Sequence, residues 1–407
     1  MTKIKKFISK MKLKENKFNT IELILIFIMA LTFGLLLGEI IFSSGNKNFS
    51  LTKKNNENIE EIENVYNSIS EEYINNVSKT KLKDAAIDGM LSLLGDKHSV
   101  YYDEKTSENF KDELNGYFHG IGAGVYQKKG QPVTVGEIYK NSPASKAGLK
   151  KGDQYLKINN EDVTKLTAEQ IKTKIKNQKN NTFTLTIKRK NVQKELKITP
   201  GKVEIPSVTS KIITKENQKI GYILISVFAS NTDEQFEKEL KKLKQQKVNK
   251  LIIDLRYNQG GQLDTVINIA SPFLTKKQPI IQIQKKDKKE IKYSNKNSQN
   301  KFKIAILINE SSASASEVLS AALNEQLNAT LIGVTTYGKG TVQKTKTLPS
   351  GGIIKYTIET WKTSKGKDID GKGIKPTIEI KQNKKYYKTY KESDDTQLQK
   401  AIETIIK

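Results

Sequence analysis

The sequence contains 407 residues, 36% of them hydrophobic, which is enough for two or three domains with cores of ordinary size. Its 70 lysines and arginines exceed its 44 acidic residues and give a net charge of +26, but the lysines are spread along the whole chain. Nucleic-acid-binding proteins usually gather basic and aromatic residues on one face, so this pattern argues against that class. The chain has no cysteine, which excludes disulfides and suits an exported protein.

The N-terminus predicts a membrane anchor. Residues 1–18 are rich in lysine, and an apolar run at 23–37, extended by 40–42, approaches the roughly 20 residues that a membrane span needs. Because the lysines lie on the N-terminal side, we expect a cytoplasmic N-terminus and an extracytoplasmic chain after residue 45. A cleaved signal peptide is the alternative, since Ser43 and Gly45 are small enough for a cleavage site.

The segment after the anchor predicts a tether followed by helices. Residues 46–60 are polar, and the apolar residues of 59–94 recur at helical spacing, which predicts two amphipathic helices. The second helix is followed by the stretch Gly95-Asp96-Lys97-His98-Ser99-Val100-Tyr101.

A glycine-rich turn opens the next region, and the region resembles a PDZ domain. Glycines let successive backbone N–H groups point at the terminal carboxylate of a peptide while the following strand pairs with it. A glycine-rich hairpin without a ligand is the alternative, but agreement with the module over 116–189 disfavours it. His119 lies in this turn, and its contact with a ligand is left open. The candidate peptide-binding residues are Gly120, Ile121, Gly122, Ala123 and Gly124.

A second α/β region resumes after Pro200. Its apolar pattern predicts a strand at 220–225, a helix at 232–245 and a buried strand at 251–255. The last strand runs into Asn258-Gln259-Gly260-Gly261, whose glycines allow the backbone to turn an N–H group toward a carbonyl. Asp254 and Arg256 are predicted to brace this turn.

A serine cluster follows the apolar run 304–308, which predicts a buried strand. Residues 311–317 read Ser-Ser-Ala-Ser-Ala-Ser-Glu, and the apolar residues after them recur at helical spacing. The cluster is therefore predicted at a helix N-terminus, where free N–H groups favour a developing oxyanion. This is a good position for a nucleophile.

A serine hydroxyl needs a neighbouring base, and lysine is the best candidate in this chain. The two histidines, His98 and His119, lie far upstream. Lys339 lies in a Tyr-Gly-Lys-Gly-Thr-Val-Gln segment, and its pKa must fall by roughly 3 from about 10.4 for it to act at neutral pH. Tyr337 and Val342 are predicted to form a dry wall around the amine, and Gln343 to orient it.

Two other interpretations compete. Ser314 and Glu317 fit a capping box, which satisfies helix-start N–H groups without chemistry. Residues 333–340 nearly spell a phosphate-binding loop, but Gly340 occupies the Ser/Thr position and 341–345 predict a strand, whereas such a loop opens a helix.

Together these motifs resemble the carboxyl-terminal processing proteases, which are S41 serine peptidases with a Ser–Lys pair and an inserted PDZ domain. The resemblance implies an α/β, ClpP/crotonase-like core with Ser314 as nucleophile, Lys339 as general base and Gln343 as the residue that orients it. It also implies a structural role for His98. The implied oxyanion hole uses the amide of Gly260 or Gly261 together with that of Ala315.

The sequence departs from the family pattern at three positions. Gln259 replaces the usual proline, and Thr377 replaces the usual aspartate of the Gly-Lys-Gly-Ile-Lys-Pro segment. The helix after Ser314 carries Asn324-Glu325 where the family usually has Gln-Asp, so Glu325 falls at an acidic position whose role the resemblance does not define. None of these changes touches the predicted Ser, Lys and Gln set.

We therefore predict a membrane-anchored serine endopeptidase that recognises substrate C-termini; the alternative is an inactive PDZ scaffold. The expected partners are protein or peptide substrates with free apolar C-termini, the membrane and, as an open alternative, a second copy in a homodimer. No nucleic acid, metal or cofactor is expected. The predicted domains are a basic cytoplasmic segment (1–18), a transmembrane anchor (19–42), a linker (43–58), a helical segment (59–115), a PDZ domain (116–190), a protease core (200–382) and a helical tail (383–407).

Overall fold

The computed structural model describes residues 57–178, 181–298 and 302–407. The chain forms two compact units, 1–86 and 87–407. The predicted basic segment (1–18), the membrane anchor (19–42) and most of the predicted linker (43–58) lie outside the described residues. In the part of the chain that is described, no helix combines the length and the apolar character that crossing a membrane requires.

The two helices expected in 59–94 form as α1 (Glu57–Glu72) and α2 (Lys79–Ser92). Neither helix contains a buried residue. On α1, Ile62 and Val65 are 47% and 54% exposed, and on α2, Met90 is 55% exposed. The apolar spacing thus produced the helices, but these apolar side chains are exposed.

The PDZ-like region is entered through β2 (Tyr117–Gly120) and left through β9 (Gly201–Glu204), which pair as antiparallel strands. The sheet between them has the strand order β3-β4-β5-β7-β8, with β6 beside β5. Its apolar core includes Val135, Ile158 and Leu185 from the sheet and Ile171 from α5. The elements are β3 (Ala123–Tyr126), β4 (Thr134–Ile138), α4 (Pro143–Lys146), β5 (Gln154–Ile158), β6 (Glu161–Asp162), α5 (Ala168–Lys176), β7 (Phe183–Arg189) and β8 (Val192–Ile198). A short strand and a helix, β1 (Val100–Tyr102) and α3 (Glu104–Asn115), precede this region.

The main sheet of the core has the order β10-β11-β12-β15-β16-β19. All its neighbours are parallel except β10 and β11. Parallel strands need apolar residues on both faces because helices cover both, which is why these strands read as continuous apolar runs. The strands are β10 (Val208–Lys215), β11 (Gln218–Ile225), β12 (Lys250–Asp254), β15 (Lys303–Ile308), β16 (Thr330–Gly333) and β19 (Ile378–Glu379).

Helices cover the two faces of this sheet. On one face, Ile253 and Ile306 pack with apolar residues of three helices, α6, α7 and α8. On the other face, Ile252 and Leu307 pack with apolar residues of the C-terminal helix α10. Successive residues of one strand therefore face different helices. The helices are α6 (Thr232–Gln245), α7 (Leu263–Ala270), α8 (Ala315–Leu327) and α10 (Thr396–Ile406), with a short α9 (Tyr386–Thr389) before the last.

A second sheet completes the core and borders the site. It has the order β1-β18-β13-β14, and β17 pairs with β18 along its other edge. Its strands are β13 (Pro279–Lys285), β14 (Lys288–Tyr293), β17 (Thr341–Thr347) and β18 (Ile353–Thr363). This sheet places β18 between β1, from the segment before the PDZ-like region, and β17, which follows the Lys339 loop.

Candidate active site

The serines of the turn between β15 and α8 differ in the hydrogen bonds that their hydroxyls form. The Ser312 hydroxyl donates to the Leu255 carbonyl at 2.8 Å, and the Ser316 hydroxyl donates to the Asn258 carbonyl at 2.8 Å. Both serines are fully buried. The hydroxyls of Ser311 and Ser314 have no acceptor in the described part of the chain. Of these two serines only Ser314 lines the cavity described below, so Ser314 is the one placed to react there.

The Ser314 backbone adopts an unusual conformation, with φ 51° and ψ −113°. A non-glycine residue at positive φ is strained, and such strain often occurs where a side chain must be aimed at a substrate. Ser314 is the N-cap of α8 and pairs with Glu317 in the expected capping box. The Glu317 carboxylate accepts the Ser314 N–H at 2.9 Å. The cap therefore holds the strained turn and leaves the hydroxyl proton available.

The structure distinguishes the two glycines predicted for the oxyanion hole. The Gly260 N–H donates to the Asn258 side chain at 2.8 Å, so it is already occupied. The N–H groups of Gly261 and Ala315 have no acceptor within the described residues. Gly260 lies against the Ser314 turn, because a Cβ built on it would be 2.8 Å from the Ser314 Cβ. These contacts favour the Gly261 and Ala315 amides over that of Gly260.

Glu317 also holds the lysine loop against the serine turn. Its fully buried carboxylate accepts hydrogen bonds from the Thr336 hydroxyl at 2.6 Å, the Gly338 N–H at 2.7 Å and the Lys339 N–H at 2.9 Å. On the other side, the Trp361 indole N–H donates to the Lys339 carbonyl at 2.8 Å. The Lys339 backbone is therefore fixed from both directions, and its side chain is not needed to hold the loop.

Lys339 and Ser314 line one cavity of about 660 Å³. The Lys339 pKa is lowered from 10.5 to about 8, mainly because burial disfavours the charged amine and then because the positive charge of Lys355 opposes it. The negative charges of Asp96 and Glu317 act in the opposite direction. A lysine with this pKa carries a useful fraction of neutral amine near neutral pH.

Gln343 also lines this cavity, but its present partners are threonines. Its side-chain amide donates to the hydroxyls of Thr341 at 2.9 Å and Thr357 at 3.1 Å. Within the described residues, the Lys339 amine forms no hydrogen bond with Gln343 or with Ser314. The structure thus brings the three predicted residues to one cavity without direct hydrogen bonds between their side chains.

The walls of the cavity combine apolar and polar side chains. Val318 and Ile281 are almost fully buried, and Trp361 is 2% exposed. Val342 lines the cavity as predicted, whereas Tyr337 is 43% exposed and is not one of the lining residues. The prediction that Tyr337 forms the dry wall is therefore wrong, because its ring faces outward toward Lys97. The apolar lining residues are Phe110, Leu114, Val227, Phe228, Leu263, Ile281, Val318, Val342 and Trp361.

Arg256 and Asp254 lie outside the cavity and hold the C-terminal segment. The Arg256 guanidinium bonds Asp254 at 2.6 Å and Asp395 at 2.8 Å, and all three side chains are buried. It also donates to Gln397 on α10. This cluster joins the end of β12 to the last helix, which agrees with a bracing role.

Glu325, whose role the sequence left undefined, braces the turn after β18. Its carboxylate accepts hydrogen bonds from the Thr363 hydroxyl at 2.9 Å, the Ser364 hydroxyl at 2.6 Å and the Lys365 N–H at 2.8 Å. It is not a lining residue of the cavity.

His98 is half-buried beside Tyr337, with ring centroids 6.3 Å apart, and it does not line the cavity. Burial, together with the positive charge of Lys339, lowers the His98 pKa. The phosphate-loop alternative fails because residues 341–347 form β17 and no helix follows the lysine loop.

The glycine-rich turn of the PDZ-like region is narrower than predicted. Gly120 belongs to β2, and Ala123 and Gly124 belong to β3, so only Ile121 and Gly122 lie between the two strands. Ile121 is buried in the apolar core, and Gly122 has φ 75°. A Cβ at Gly122 would lie 2.3 Å from the Ser142 side chain, so this position needs glycine. Because β3 is an edge strand of its sheet, its outer side is available for strand addition.

Family models match along most of the chain. The model described as Peptidase family S41 matches residues 219–380, and the PDZ domain model matches 109–188. A third model, described as the activating protease CtpB N-terminal domain, matches 42–106.

Curated relatives cover most of the chain. A carboxy-terminal processing protease CtpB of Bacillus subtilis is 39% identical over 328 residues, which are 80% of this chain and 68% of that protein. A probable CtpA-like serine protease of Staphylococcus haemolyticus is 36% identical over 380 residues, covering 90% of this chain and 74% of that protein. The chain belongs to peptidase family S41. A putative S41 protease structure from Bacteroides fragilis, 17% identical, shares the fold with a TM-score of 0.50 and covers 84% of this chain and 96% of that one.

As an S41 serine peptidase of the C-terminal processing type, the protein has a candidate site only partly visible in its sequence. Local patterns indicated the serine cluster, Lys339 and Gln343, and the family resemblance selected Ser314 within the cluster. Two further residues of the site were not predicted: Glu317, which links the serine turn to the lysine loop, and Lys355, whose charge acts on the amine. The Glu of the capping box was the available signal for Glu317, whereas nothing in the local pattern marks Lys355.

The positive charge of Lys355 is expected to shift the acid limb of the plot of kcat against pH toward lower pH, because it contributes to the lowered pKa of Lys339. Lys355 lines the same cavity and forms no ion pair with any described carboxylate, and its positive charge disfavours protonated Lys339. In Lys355→Met that repulsion is removed, so the Lys339 pKa rises and the acid limb of kcat moves to higher pH. A rise of one pKa unit lowers the neutral amine fraction at pH 7 about tenfold.

Steady-state rates from pH 5.5 to 10 measure this shift. Lys346→Met, an exposed lysine on β17, is the matched control and should keep the wild-type profile. An acid limb that stays in place or moves to lower pH in Lys355→Met would contradict the assignment of that limb to Lys339.

Proposed function

We propose that this protein is a membrane-anchored serine endopeptidase that captures substrate C-termini with its PDZ domain and cleaves peptide bonds with Ser314 and Lys339. One observation carries the proposal: the Ser314 hydroxyl, which has no acceptor in the described chain, shares a cavity with a half-buried lysine whose pKa is about 8. A lysine of this kind can accept a proton at physiological pH without a histidine.

In the acylation step, the Ser314 oxygen attacks the scissile carbonyl carbon, and the Lys339 amine takes the hydroxyl proton. The amides of Gly261 and Ala315 donate to the resulting oxyanion, which removes the need for any side-chain donor at that place. As the C–N bond breaks, Lys339 returns the proton to the leaving amine. The acyl group is then held as an ester on Ser314.

In the deacylation step, water attacks the ester carbonyl, and Lys339 takes a proton from the water. The ester C–O bond breaks, and the proton returns to the Ser314 oxygen. The product leaves with a new C-terminal carboxylate, and Lys339 is neutral again. We predict that the mechanism needs no metal or nucleotide.

The mechanism requires Lys339 to approach Ser314 and Gln343 when substrate is present. Catalytic hydrogen bonds are often long without substrate and tighten in the complex. The flexible side chain of Lys339 supports this, because the hydrogen bonds of Lys339 to Glu317 and Trp361 use only its backbone. Gln343 is proposed to orient the amine in the closed arrangement.

The PDZ domain is proposed to bind substrates through a free, apolar C-terminus. The edge position of β3 supports strand addition by a peptide, and the turn at Ile121 and Gly122 lies at the start of that strand. We expect an apolar C-terminal peptide to bind at least tenfold more weakly when its terminus is amidated, because the carboxylate charge is lost. Fluorescence anisotropy measures this with the two peptides and the full-length protein. Equal affinities would contradict recognition of the carboxylate.

The anchor and its topology are proposed from the sequence pattern of residues 1–42. The N-terminus would be cytoplasmic and the peptidase extracytoplasmic. Protease added to intact cells should then digest the S41 core but spare an epitope placed before residue 18. Recovery of the full-length chain in a salt-washed soluble fraction would contradict an uncleaved anchor.

A homodimer is proposed as the arrangement that covers the helical segment. Ile62 and Val65 on α1 and Met90 on α2 are each about half exposed. Large apolar side chains exposed close together favour association with another surface. Light scattering of the purified protein measures the oligomeric state, and a monomer at micromolar concentration would contradict the proposal.

An inactive PDZ scaffold is the second candidate, and a digestion assay separates it from the enzyme. The purified protein, incubated with casein at pH 8, is expected to produce fragments. Bound but intact casein would favour the scaffold. The unbonded Ser314 hydroxyl and the lowered Lys339 pKa support the enzyme.

A further inference from the structure

A half-buried carboxylate outside the cavity is linked, through the Thr357 hydroxyl, to the side chain proposed to orient the base. Asp96, in the segment before β1, accepts from the Thr357 hydroxyl at 2.5 Å and from the Ser99 hydroxyl at 2.6 Å. The His98 N–H donates to it at 2.9 Å. Burial on its own would raise the Asp96 pKa, but these hydrogen bonds outweigh burial and lower it. Asp96 is therefore an anion at neutral pH.

The single proton of the Thr357 hydroxyl determines what Gln343 can do. Because Thr357 donates that proton to Asp96, its oxygen can only accept from Gln343. Gln343 must then present its NH₂ group, and it donates at 3.1 Å to Thr357 and at 2.9 Å to Thr341. Reversing the Gln343 amide would place its carbonyl oxygen against an oxygen that has no proton to give.

Both amide hydrogens of Gln343 are thereby used, and its carbonyl oxygen is the group left to accept. An amine donating to this oxygen would be held by its own N–H, with its lone pair free to accept a proton. Gln343 and Thr357 are cross-strand partners in β17 and β18, at a bulge that follows Val342. A bulge changes the direction in which a side chain points. Here the bulge lies directly before Gln343, which lines the cavity.

We propose that Asp96 is a positioning residue for the general base: through Thr357 it fixes Gln343 with the carbonyl oxygen available to the Lys339 amine. Asp96 acts through other residues and does not line the cavity itself. The inference rests on the proposed role of Lys339 as the base. It also gives the segment before β1 a part in catalysis, although that segment is 261 residues from Thr357 in the chain.

The first test removes the hydroxyl that connects Asp96 with Gln343. In Thr357→Val, kcat is expected to fall on the order of tenfold to a hundredfold with little change in KM, because the substrate still binds but the base is misplaced. Thr357→Ser keeps the hydroxyl and should restore at least half of the wild-type kcat. Thr360→Val is the matched control, since Thr360 is exposed on the same strand. Its kcat should equal that of the wild type.

The second test removes the charge of Asp96. Lys355 from β18, Glu317 from α8 and Asp96 act on the Lys339 charge. His98, beside Asp96, also interacts electrostatically with Lys339. The negative charge of Asp96 favours the protonated amine, so Asp96→Asn is expected to move the acid limb of kcat to lower pH and to reduce kcat at the optimum. A purely electrostatic role for Asp96 would move that limb but leave kcat at the pH optimum unchanged.

The outcomes separate this inference from the proposed function. Wild-type kcat in folded Thr357→Val, or wild-type kcat at the pH optimum in Asp96→Asn, overturns the inference. In that case an inactive Lys339→Ala variant leaves the proposed function standing. Proteolysis by Lys339→Ala overturns both. If Thr357→Val does not fold, the Thr357→Ser and Asp96→Asn profiles decide the matter.

Discussion

Replacing Ser314 or Lys339 with alanine is expected to reduce kcat/KM by about 10⁴-fold or more while the protein stays folded. Ser314 supplies the attacking oxygen and Lys339 takes its proton, so either loss stops acylation. The fold should tolerate both changes. The Ser314 hydroxyl donates to no described residue, and the structural contacts of Lys339 use its backbone.

A fluorogenic peptide assay measures this loss, and circular dichroism checks the fold. Ser311→Ala, three positions earlier in the same turn, and Lys344→Ala, an exposed lysine on β17, are the matched controls. Both should remain within about twofold of the wild type, because surface substitutions away from the site have small effects. Cleavage at an undiminished rate by purified Ser314→Ala would eliminate the proposed mechanism.

Replacing Glu317 with alanine is expected to lower the free energy of unfolding by about 4 kcal/mol and to abolish activity. The substitution leaves the N–H groups of Ser314, Gly338 and Lys339 and the Thr336 hydroxyl without their buried acceptor. Each unsatisfied buried donor costs about 1 to 3 kcal/mol, and partial relaxation reduces the sum. The lysine loop then loses its attachment to the serine turn.

Glu317→Gln tests whether the carboxylate is needed or only a side chain of its size. The glutamine amide has the same size but offers one acceptor atom to the four donors. We expect intermediate stability and an activity at least a hundredfold below that of the wild type. Glu325→Gln is the matched control, because Glu325 lies on the same helix and also accepts three hydrogen bonds away from the cavity. It should lose stability but keep kcat per folded molecule. Urea denaturation and steady-state kinetics measure both quantities, and full activity in Glu317→Ala would refute the linking role.

The core of the fold was accessible from the sequence because its strands are buried on both faces. Continuous apolar runs at 251–255 and 304–308 correspond to β12 and β15, and the helical spacing after Ser314 corresponds to α8. The strand order and the second sheet were not accessible in this way. Pairing between strands distant in sequence leaves no local periodicity, so the contact of β1 with β18 was not predicted.

In the candidate site, too, local sequence patterns predicted some features, and contacts between distant segments decided the others. Local motifs indicated Ser314, Lys339 and Gln343, but they left Gly260 and Gly261 equivalent. Only the hydrogen bond from the Gly260 N–H to Asn258 distinguishes the two amides. Tyr337 was assigned to the dry wall from its position beside Lys339, and the structure turns it outward.

The sequence by itself determined the family, the candidate nucleophile and base, and the alternation of strand and helix that presents them. These depend on residues close together in the chain, where spacing directly reflects one helix face or one strand. Tertiary structure decided the surroundings of the Lys339 amine. Lys355 and Asp96 act on that amine from separate segments, and burial in a cavity built by several elements lowers its pKa to about 8. Electrostatic effects depend on distance in space and on burial, and the chain specifies neither until it has folded.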